Sequence, residues 1–243
     1  MRRYKTFWGL VLVLCFLFPV FFLIQHRGIE QMGFQGVEFL RQYLGTGTGY
    51  NSALQHGFLY VAMELLLVLQ ILPRINEQRL VRMTRTRHWR GIWEIMTFSA
   101  FIFCLVFSLV QFVMTAVCIP DERLWESGFI QISLLNFLRL FGVYMIFNGV
   151  FAVLYSVFFK EEIAAVICVL FFMVLFYVIY SRWELSAFNL KNDMAVYDDY
   201  YSPEGLDLFQ YVMITVKHLL LVAILYMVSL AVFEKKDILY GKR

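Results

Sequence analysis

Six apolar stretches run along the chain, and polar segments separate them. They cover residues 7–24, 58–72, 95–119, 132–159, 163–180 and 211–233. Each stretch is long enough, or nearly so, to cross a bilayer as a helix, which needs about 20 apolar residues. The second stretch is the weakest candidate, because it is short and contains Glu64. It is nevertheless needed as a span, because only then do the following loops lie on consistent sides of the membrane. The pattern predicts an all-α integral membrane protein, with six transmembrane helices forming one domain over residues 1–243.

Composition supports this interpretation and excludes several classes of protein. Apolar residues make up 61% of the chain, charged residues 16%, and the mean hydropathy is +0.69. A soluble domain could not bury so much apolar surface, and six spans leave no room for a separate soluble catalytic domain. The net charge of +3 is too small to indicate nucleic-acid binding. No A-x-A cleavage motif precedes Gln25, so we expect the first stretch to be retained as an anchor.

The basic residues fall unevenly on the two sides of the predicted spans. One side receives Arg2, Arg3, Lys5, Arg74, Arg79, Arg82, Arg85, Arg87, Arg90, Lys160, Lys235, Lys236, Lys242 and Arg243. The other side receives only Arg27, Arg41, Arg123, Arg182 and Lys191. Cytoplasmic loops carry the excess of lysine and arginine in membrane proteins. We therefore predict that both termini are cytoplasmic and that the outer loops are residues 25–57, 120–131 and 181–210.

Catalytic and metal-binding motifs are missing from the sequence. No G-x-x-x-x-G-K-[ST] phosphate loop is present, and the glycine-rich residues 44–50 have no lysine beside them, which favours a flexible outer turn. The histidines are scattered, at His26, His56, His88 and His218. The cysteines all fall within spans, at Cys15, Cys104, Cys118 and Cys168, where they are typical packing residues. We expect neither an enzyme nor a metal or cofactor site on this chain.

The segment between the second and third spans, residues 74–94, is rich in arginine and tryptophan. It reads RINEQRLVRMTRTRHWRGIWE. Such an amphipathic segment can lie at the headgroup level, with tryptophans in the interface and guanidinium groups toward anionic lipid or a partner. A plain positive loop that only orients the protein is the alternative. The segment is longer and more aromatic than orientation alone requires.

Residues 82–89, which read RMTRTRHW, resemble a family motif. The permease subunits of ABC-2-type ABC transporters, in particular those of bacterial peptide, bacteriocin or antibiotic export and self-protection, often carry R-x-x-S-R-x-x-W after their second span. Arg82 and Trp89 match the ends of that motif, whereas Arg85 and Thr86 replace its serine and arginine. The charged end of the last span, residues 233–239, is also similar to that family.

The resemblance implies a division of labour between subunits. This chain would form part of a translocation route in a bacterial inner membrane, together with a second permease copy or paralogue. ATP and Mg²⁺ would bind to a separate cytoplasmic ATPase, which would dock on a coupling segment. The residues implied in that coupling are Arg79, Arg82, Arg85, Arg87, His88, Trp89, Arg90 and Trp93. Family members place short re-entrant or surface helices in the position of residues 182–210, but this segment is acidic and we do not expect it to dip deeply into the membrane.

Ionisable side chains within spans are the other candidate functional groups. A charge in hydrocarbon is costly, so these groups should face protein or water. Glu64, Arg139 and Lys217 with its neighbour His218 should lie at comparable depth, and we expect Glu64 to pair with Arg139 or Lys217. Alternatively, the two basic groups extend toward the headgroups, and Glu64 is a protonated carboxyl bonded to a neighbouring helix.

Two other functions stay open on these observations. One is a membrane-embedded immunity or sensor protein that binds a partner without transport. The other is an ion-coupled secondary transporter, which would use the polar residues of the spans as its pathway. Those residues are Glu64, Asn136, Arg139, Asn148, Lys217 and His218.

The predicted sidedness can be tested by labelling. Cysteines introduced by Ser186→Cys and Thr84→Cys should react with a membrane-impermeant thiol reagent from opposite sides of the membrane, because the basic residues place 186 outside and 84 inside. Labelling is measured in intact cells and in inverted vesicles, with the unsubstituted chain as the control for its four native cysteines. Reaction of both positions from one side would contradict the six-span topology.

Overall fold

The protein is helical throughout the part that its structure describes. The computed structural model describes residues 2–30, 36–47, 49–72, 85–119, 124–125, 127–180 and 189–235. Its helices are α1 Arg2–Glu30, α2 Gly36–Leu44, α3 Ala53–Ile71, α4 Arg85–Cys118, α5 Phe129–Phe158, α6 Glu161–Ile179, α7 Leu190–Asp193, α8 Val196–Tyr200 and α9 Leu208–Lys235. These residues contain no strand.

Six of these helices are long and apolar enough to cross a membrane, namely α1, α3, α4, α5, α6 and α9. The prediction of an all-α chain with six such helices is confirmed. Most of them extend past the apolar stretches, because a helix continues into the headgroup region where polar residues are tolerated. Thus α4 begins at Arg85 rather than at Ile95, and α3 begins at Ala53 rather than at Phe58.

Helix α5 occupies the centre of the bundle. It packs against α4, α6 and α9, and also contacts α3. A glycine allows close contact with α9, since a Cβ at Gly149 would meet the Leu225 side chain at 2.7 Å. Small residues let membrane helices approach in this way and gain dispersion contacts that lipid cannot supply.

The bundle has two ends, which we name by the chain. At the terminal face, α1 begins and α9 ends, and the Phe7 ring lies 5.9 Å from Phe98 of α4. At the opposite, distal face, short elements cover the helix ends. There Asp198 of α8 accepts hydrogen bonds from the backbone N–H and the hydroxyl of Thr46, at 2.7 and 2.8 Å. Which face is cytoplasmic stays a prediction from the basic residues.

The segment between α6 and α9 packs against the bundle at the distal face. Residues 181–188 lie outside the described part, but α7 and α8 follow and place Leu190 and Tyr197 in the core. Asp193 of α7 contacts Lys217. Since Lys217 lies nine residues beyond the first residue of α9, this contact is roughly 14 Å along that helix. The acidic residues do not prevent this, because α9 supplies basic partners.

Two π-helical turns interrupt the regular helices. One covers His56–Tyr60 in α3 and the other Leu175–Ile179 in α6, and the two turns contact each other. At their contact, a Cβ on Gly57 would overlap the Cβ, Cγ and Cδ2 atoms of Phe176. The absence of a side chain at Gly57 therefore allows α3 and α6 to meet.

Replacing this glycine should destabilise the bundle. Gly57→Ala forces the buried Phe176 ring or a helix to move, and overpacking of a core typically costs about 1–3 kcal/mol. We expect a lower midpoint of thermal unfolding for the purified protein in detergent. Gly9→Ala is the matched control, because a Cβ there meets nothing within 4 Å. Equal midpoints for the two variants would contradict the close contact.

Candidate functional site

A buried carboxyl group joins three helices in the middle of the bundle. Glu64 of α3 is fully buried, and its Oε1 accepts a hydrogen bond of 3.0 Å from Nδ2 of Asn148 in α5. The same Nδ2 donates to the Met96 carbonyl of α4 at 3.2 Å. In hydrocarbon such bonds hold helices together, because the alternative is an unsatisfied polar group.

Glu64 does not pair with Arg139 or Lys217, so that prediction is wrong. Its partner Asn148 lies nine residues beyond Arg139 on α5, which is roughly 14 Å deeper from the distal face. The error has a physical source. Helix α3 begins at Ala53, so Glu64 lies more than a turn further along its helix than the apolar pattern implies.

A second polar cluster lies nearer the distal face and is centred on Asp193. Its carboxylate receives Lys217 Nζ at 2.7 Å on Oδ1 and 2.6 Å on Oδ2. His218 Nε2 lies 3.0 Å from Oδ2. The side chain of Asn189 caps α7 by accepting from the backbone N–H groups of Lys191 and Asn192, which orients Asp193. Lys217 therefore pairs with the carboxylate of Asp193 on α7 rather than extending toward headgroups alone.

Arg139 is almost completely buried beside this cluster, with 2% of its surface exposed. Its Nη2 donates to the Tyr211 carbonyl at 2.9 Å, and its guanidinium carbon lies 4.3 Å from the centre of the Tyr211 ring. Its Nε and Nη1 have no hydrogen-bond partner among the described residues. Most of the donor capacity of this cation is therefore unused.

A cavity of about 380 Å³ opens above Arg139 at the distal face. Its lining residues are Arg139, Asp193, Val196, Asp199, Ser202, Glu204, Gly205, Leu206, Asp207, Gln210, Tyr211 and Ile214. Partial burial and the neighbouring Asp198 carboxylate raise the pKa of Asp199, while Arg139 and Arg41 act in the opposite direction. The cavity thus combines one buried cation with several carboxylates.

A hydrogen-bonded chain lies between this region and Glu64. His56 Nδ1 lies 2.8 Å from the Tyr144 hydroxyl, and His56 Nε2 lies 3.2 Å from Oδ1 of Asn51. Asn51 in turn donates to the Leu44 carbonyl at 3.1 Å. The sequence showed only that the histidines are scattered, and spacing gives no signal for a network that spans three segments.

Asn136 completes the set of predicted polar residues in the spans. It is fully buried, and neither of its amide atoms has a hydrogen-bond partner among the described residues. It lies three residues before Arg139, on the same side of α5. The predicted pathway residues therefore divide into a Glu64–Asn148 pair and a separate group around Arg139, Lys217 and His218.

At the terminal face, two tryptophans of α4 lie inside the bundle. Trp89 is fully buried, and its Nε1 donates to Ser229 Oγ of α9 at 3.1 Å. Trp93 Nε1 donates to the same oxygen at 3.3 Å. The Trp89 ring stacks on Phe233 at 4.5 Å and on Tyr155 at 6.3 Å.

The predicted coupling residues thus separate into an inner and an outer set. Trp89 and Trp93, with the buried His88, contact helices of this chain, so their rings are not available to a partner. Arg87 and Arg90 are exposed. Arg85 is half-buried, and its Nη1 donates to the Glu234 carbonyl at 2.6 Å. Arg79 and Arg82 lie outside the described residues.

The buried pair can be tested with a double-mutant cycle. Glu64→Gln and Asn148→Leu should be non-additive in the free energy of unfolding, with a coupling of about 0.5–3 kcal/mol, because the two side chains are in contact. Glu64→Gln combined with Arg139→Gln is the control, and these two changes should add. Unfolding is followed in detergent by tryptophan fluorescence. Coupling between the Glu64 and Arg139 changes, without coupling between the Glu64 and Asn148 changes, would show that Glu64 contacts Arg139 instead.

The described helices identify the chain as a multi-pass membrane protein. Comparison of the chain with protein families, with curated proteins and with solved structures found no match. Its function is therefore inferred from its own residues and contacts.

Proposed function

We propose that this chain is the permease subunit of an ABC-type exporter in a bacterial inner membrane. A separate cytoplasmic ATPase binds and hydrolyses Mg-ATP, and a second permease copy or paralogue completes the route for a peptide-like or amphipathic substrate. The resemblance of residues 82–89 to the permease motif supports this assignment. The structural observation that carries it is the attachment of the start of α4 to α5 and α9 through Trp89.

This attachment joins the start of α4 to α5 and α9, so the three helices should move together. Trp89 and Trp93 share the Ser229 hydroxyl as acceptor, and Trp89 lies between Phe233 of α9 and Tyr155 of α5. Removing a large buried aromatic ring typically costs about 3–5 kcal/mol, so the contact is hard to break. A displacement of the α4 start therefore moves the ends of α5 and α9 with it.

The opposite side of the same helix is charged and accessible. Arg87, Arg90 and Glu94 are exposed, and their spacing of three and four residues places them on one face of α4. The buried Trp89 and Trp93 lie on the other face. Arginine forms strong charge-assisted bonds to carboxylates and is favoured in interfaces, so this face suits an acidic surface on an ATPase.

A movement of α4 also reaches α3 at mid-depth. The Met96 carbonyl is only two turns beyond Trp89, and it accepts from the Asn148 side chain that holds Glu64. Helices α3, α5 and α9 are thus linked by these contacts to α4, which carries the exposed arginines. In the proposed cycle, ATPase closure displaces α4 and rearranges α3, α5 and α9 as a unit.

Other faces of the bundle suit lipid and a second permease. Large apolar side chains are exposed along α1 and α9, among them Leu12, Phe16, Val20, Leu219, Leu220, Ile224 and Met227. In a bilayer such faces contact acyl chains or another subunit, as helix association there depends on packing. Two permease chains would enclose the translocation route between them.

The exposed arginines should be required for ATPase association. Arg87→Ala combined with Arg90→Ala removes two charge-assisted contacts worth roughly 1.5–3 kcal/mol each, so ATPase affinity should fall at least about a hundredfold. The measurement is Mg-dependent ATP hydrolysis by a phosphate-loop subunit that co-purifies with the tagged chain. Export of peptide should fall in parallel while the amount of chain in the membrane is unchanged.

Two further variants serve as controls for this experiment. Arg27→Ala removes an exposed arginine from the other end of α1 and should leave ATPase binding intact. Ser229→Ala removes the acceptor shared by both tryptophans and should reduce export while the ATPase stays bound. Normal ATPase association and export in the double arginine variant would refute the docking role and favour an immunity or sensor protein.

A further inference from the structure

The cavity at the distal face is lined by the buried cation Arg139, whose charge would be stabilised by an anionic partner. Arg139 is 2% exposed, and its Nε and Nη1 lack partners among the described residues. Leaving a buried charged group unsatisfied costs considerably more than leaving a neutral one. An unpartnered guanidinium N–H group is a strong donor to an anionic oxygen such as that of a carboxylate.

The nearby Asp193 does not fill this role. Both of its oxygens are engaged, since Lys217 Nζ lies 2.7 Å from Oδ1 and 2.6 Å from Oδ2, and His218 Nε2 lies 3.0 Å from Oδ2. Its negative charge is therefore already matched by Lys217. Nε and Nη1 of Arg139 are therefore left without a hydrogen-bond partner among the described residues.

The exposed part of the cavity carries the opposite charge. Asp199, Glu204 and Asp207 line it, and all three are exposed. A simple anion on its way to Arg139 would be repelled by these carboxylates. A simple cation held by the carboxylates would be repelled by Arg139. A ligand that carries both charges satisfies both parts of the site.

Size and surroundings restrict the ligand further. A volume of about 380 Å³ is at the lower end of the range for small-molecule sites. Val196, Leu206 and Ile214 supply apolar contacts beside the charged groups. The site therefore suits a compact molecule with a short apolar part.

We propose that this cavity binds a small zwitterion through a carboxylate on Arg139 and an ammonium group on Asp199. Free amino acids and dipeptides share this chemistry. The site does not depend on the proposed coupling to an ATPase, because it lies at the other end of the bundle from Arg87 and Arg90. It gives the chain a means of recognising amino-acid-like molecules at its distal face.

Binding can be measured by calorimetry on the full chain in lipid nanodiscs. The probes are dialanine, alanine, amidated dialanine without the carboxylate, and N-acetyl-dialanine without the ammonium group. Loss of either charge should weaken binding at least about tenfold relative to dialanine, because each charge makes a charge-assisted contact. The ratio of alanine to dialanine affinity then shows which of the two sizes the cavity prefers.

Variants assign the two ends of the ligand. Asp199→Asn should weaken dialanine about tenfold but leave N-acetyl-dialanine unchanged, because only the former presents an ammonium group. Arg139→Gln should remove the difference between dialanine and its amide. Glu38→Gln is the charge-matched control, since Glu38 is an exposed carboxylate on α2 that does not line the cavity. If Arg139→Gln does not fold, Asp199→Asn with the four probes still decides the question.

Several outcomes would overturn this proposal. No binding of either zwitterion at about 1 mM, which corresponds to roughly −4 kcal/mol, would exclude a useful site. Equal affinity for dialanine and both capped peptides would show that the charges are not recognised. Binding of acetate or of methylamine as tightly as dialanine would indicate a plain anion or cation site instead.

Discussion

The bundle depends on one constraint, which is that polar groups among membrane helices must find partners inside the protein. Lipid offers no hydrogen bonds, so each buried polar side chain fixes the relative position of the helices that satisfy it. Asn148 serves both Glu64 and the Met96 carbonyl, and Ser229 serves two tryptophans. These shared partners join helices at defined points along their length.

The same constraint explains how the charged groups are distributed. Lys217 and His218 face Asp193, which comes from a short helix at the distal face. Arg139 has only a carbonyl and an aromatic ring as partners. Within the part of the chain that the structure describes, the polar groups therefore do not form one continuous hydrogen-bonded chain across the bundle. They form two separate groups, the Glu64–Asn148 pair in the middle of the bundle and the cluster around Asp193 and Arg139 at the distal face. The two groups can serve different purposes.

Sequence patterns predicted the number and order of the long helices well, because apolar length alone determines which segments can span. They failed for Glu64, since the start of α3 depends on a buried turn that hydropathy does not register. They also missed Asp193 as the partner of Lys217, because the two are far apart in sequence and the short helix that carries Asp193 looked too acidic to enter the bundle. Trp89 was predicted to contact the ATPase at the surface, because nothing in the sequence indicates that Ser229 and Phe233 cover it.

The π turn in α3 has a consequence for the register of that helix. His56 contacts Tyr144 and Glu64 contacts Asn148, and these two partners lie four residues apart on the same side of α5. Eight positions of regular α-helix advance about 800°, which overshoots two full turns by about 80°. The wider turn at His56–Tyr60 absorbs much of that overshoot. If this turn were regular α-helix with the sequence unchanged, the Glu64 carboxyl would rotate away from the Asn148 amide while the His56 imidazole stayed in place. The single π turn therefore lets both His56 and Glu64 face α5.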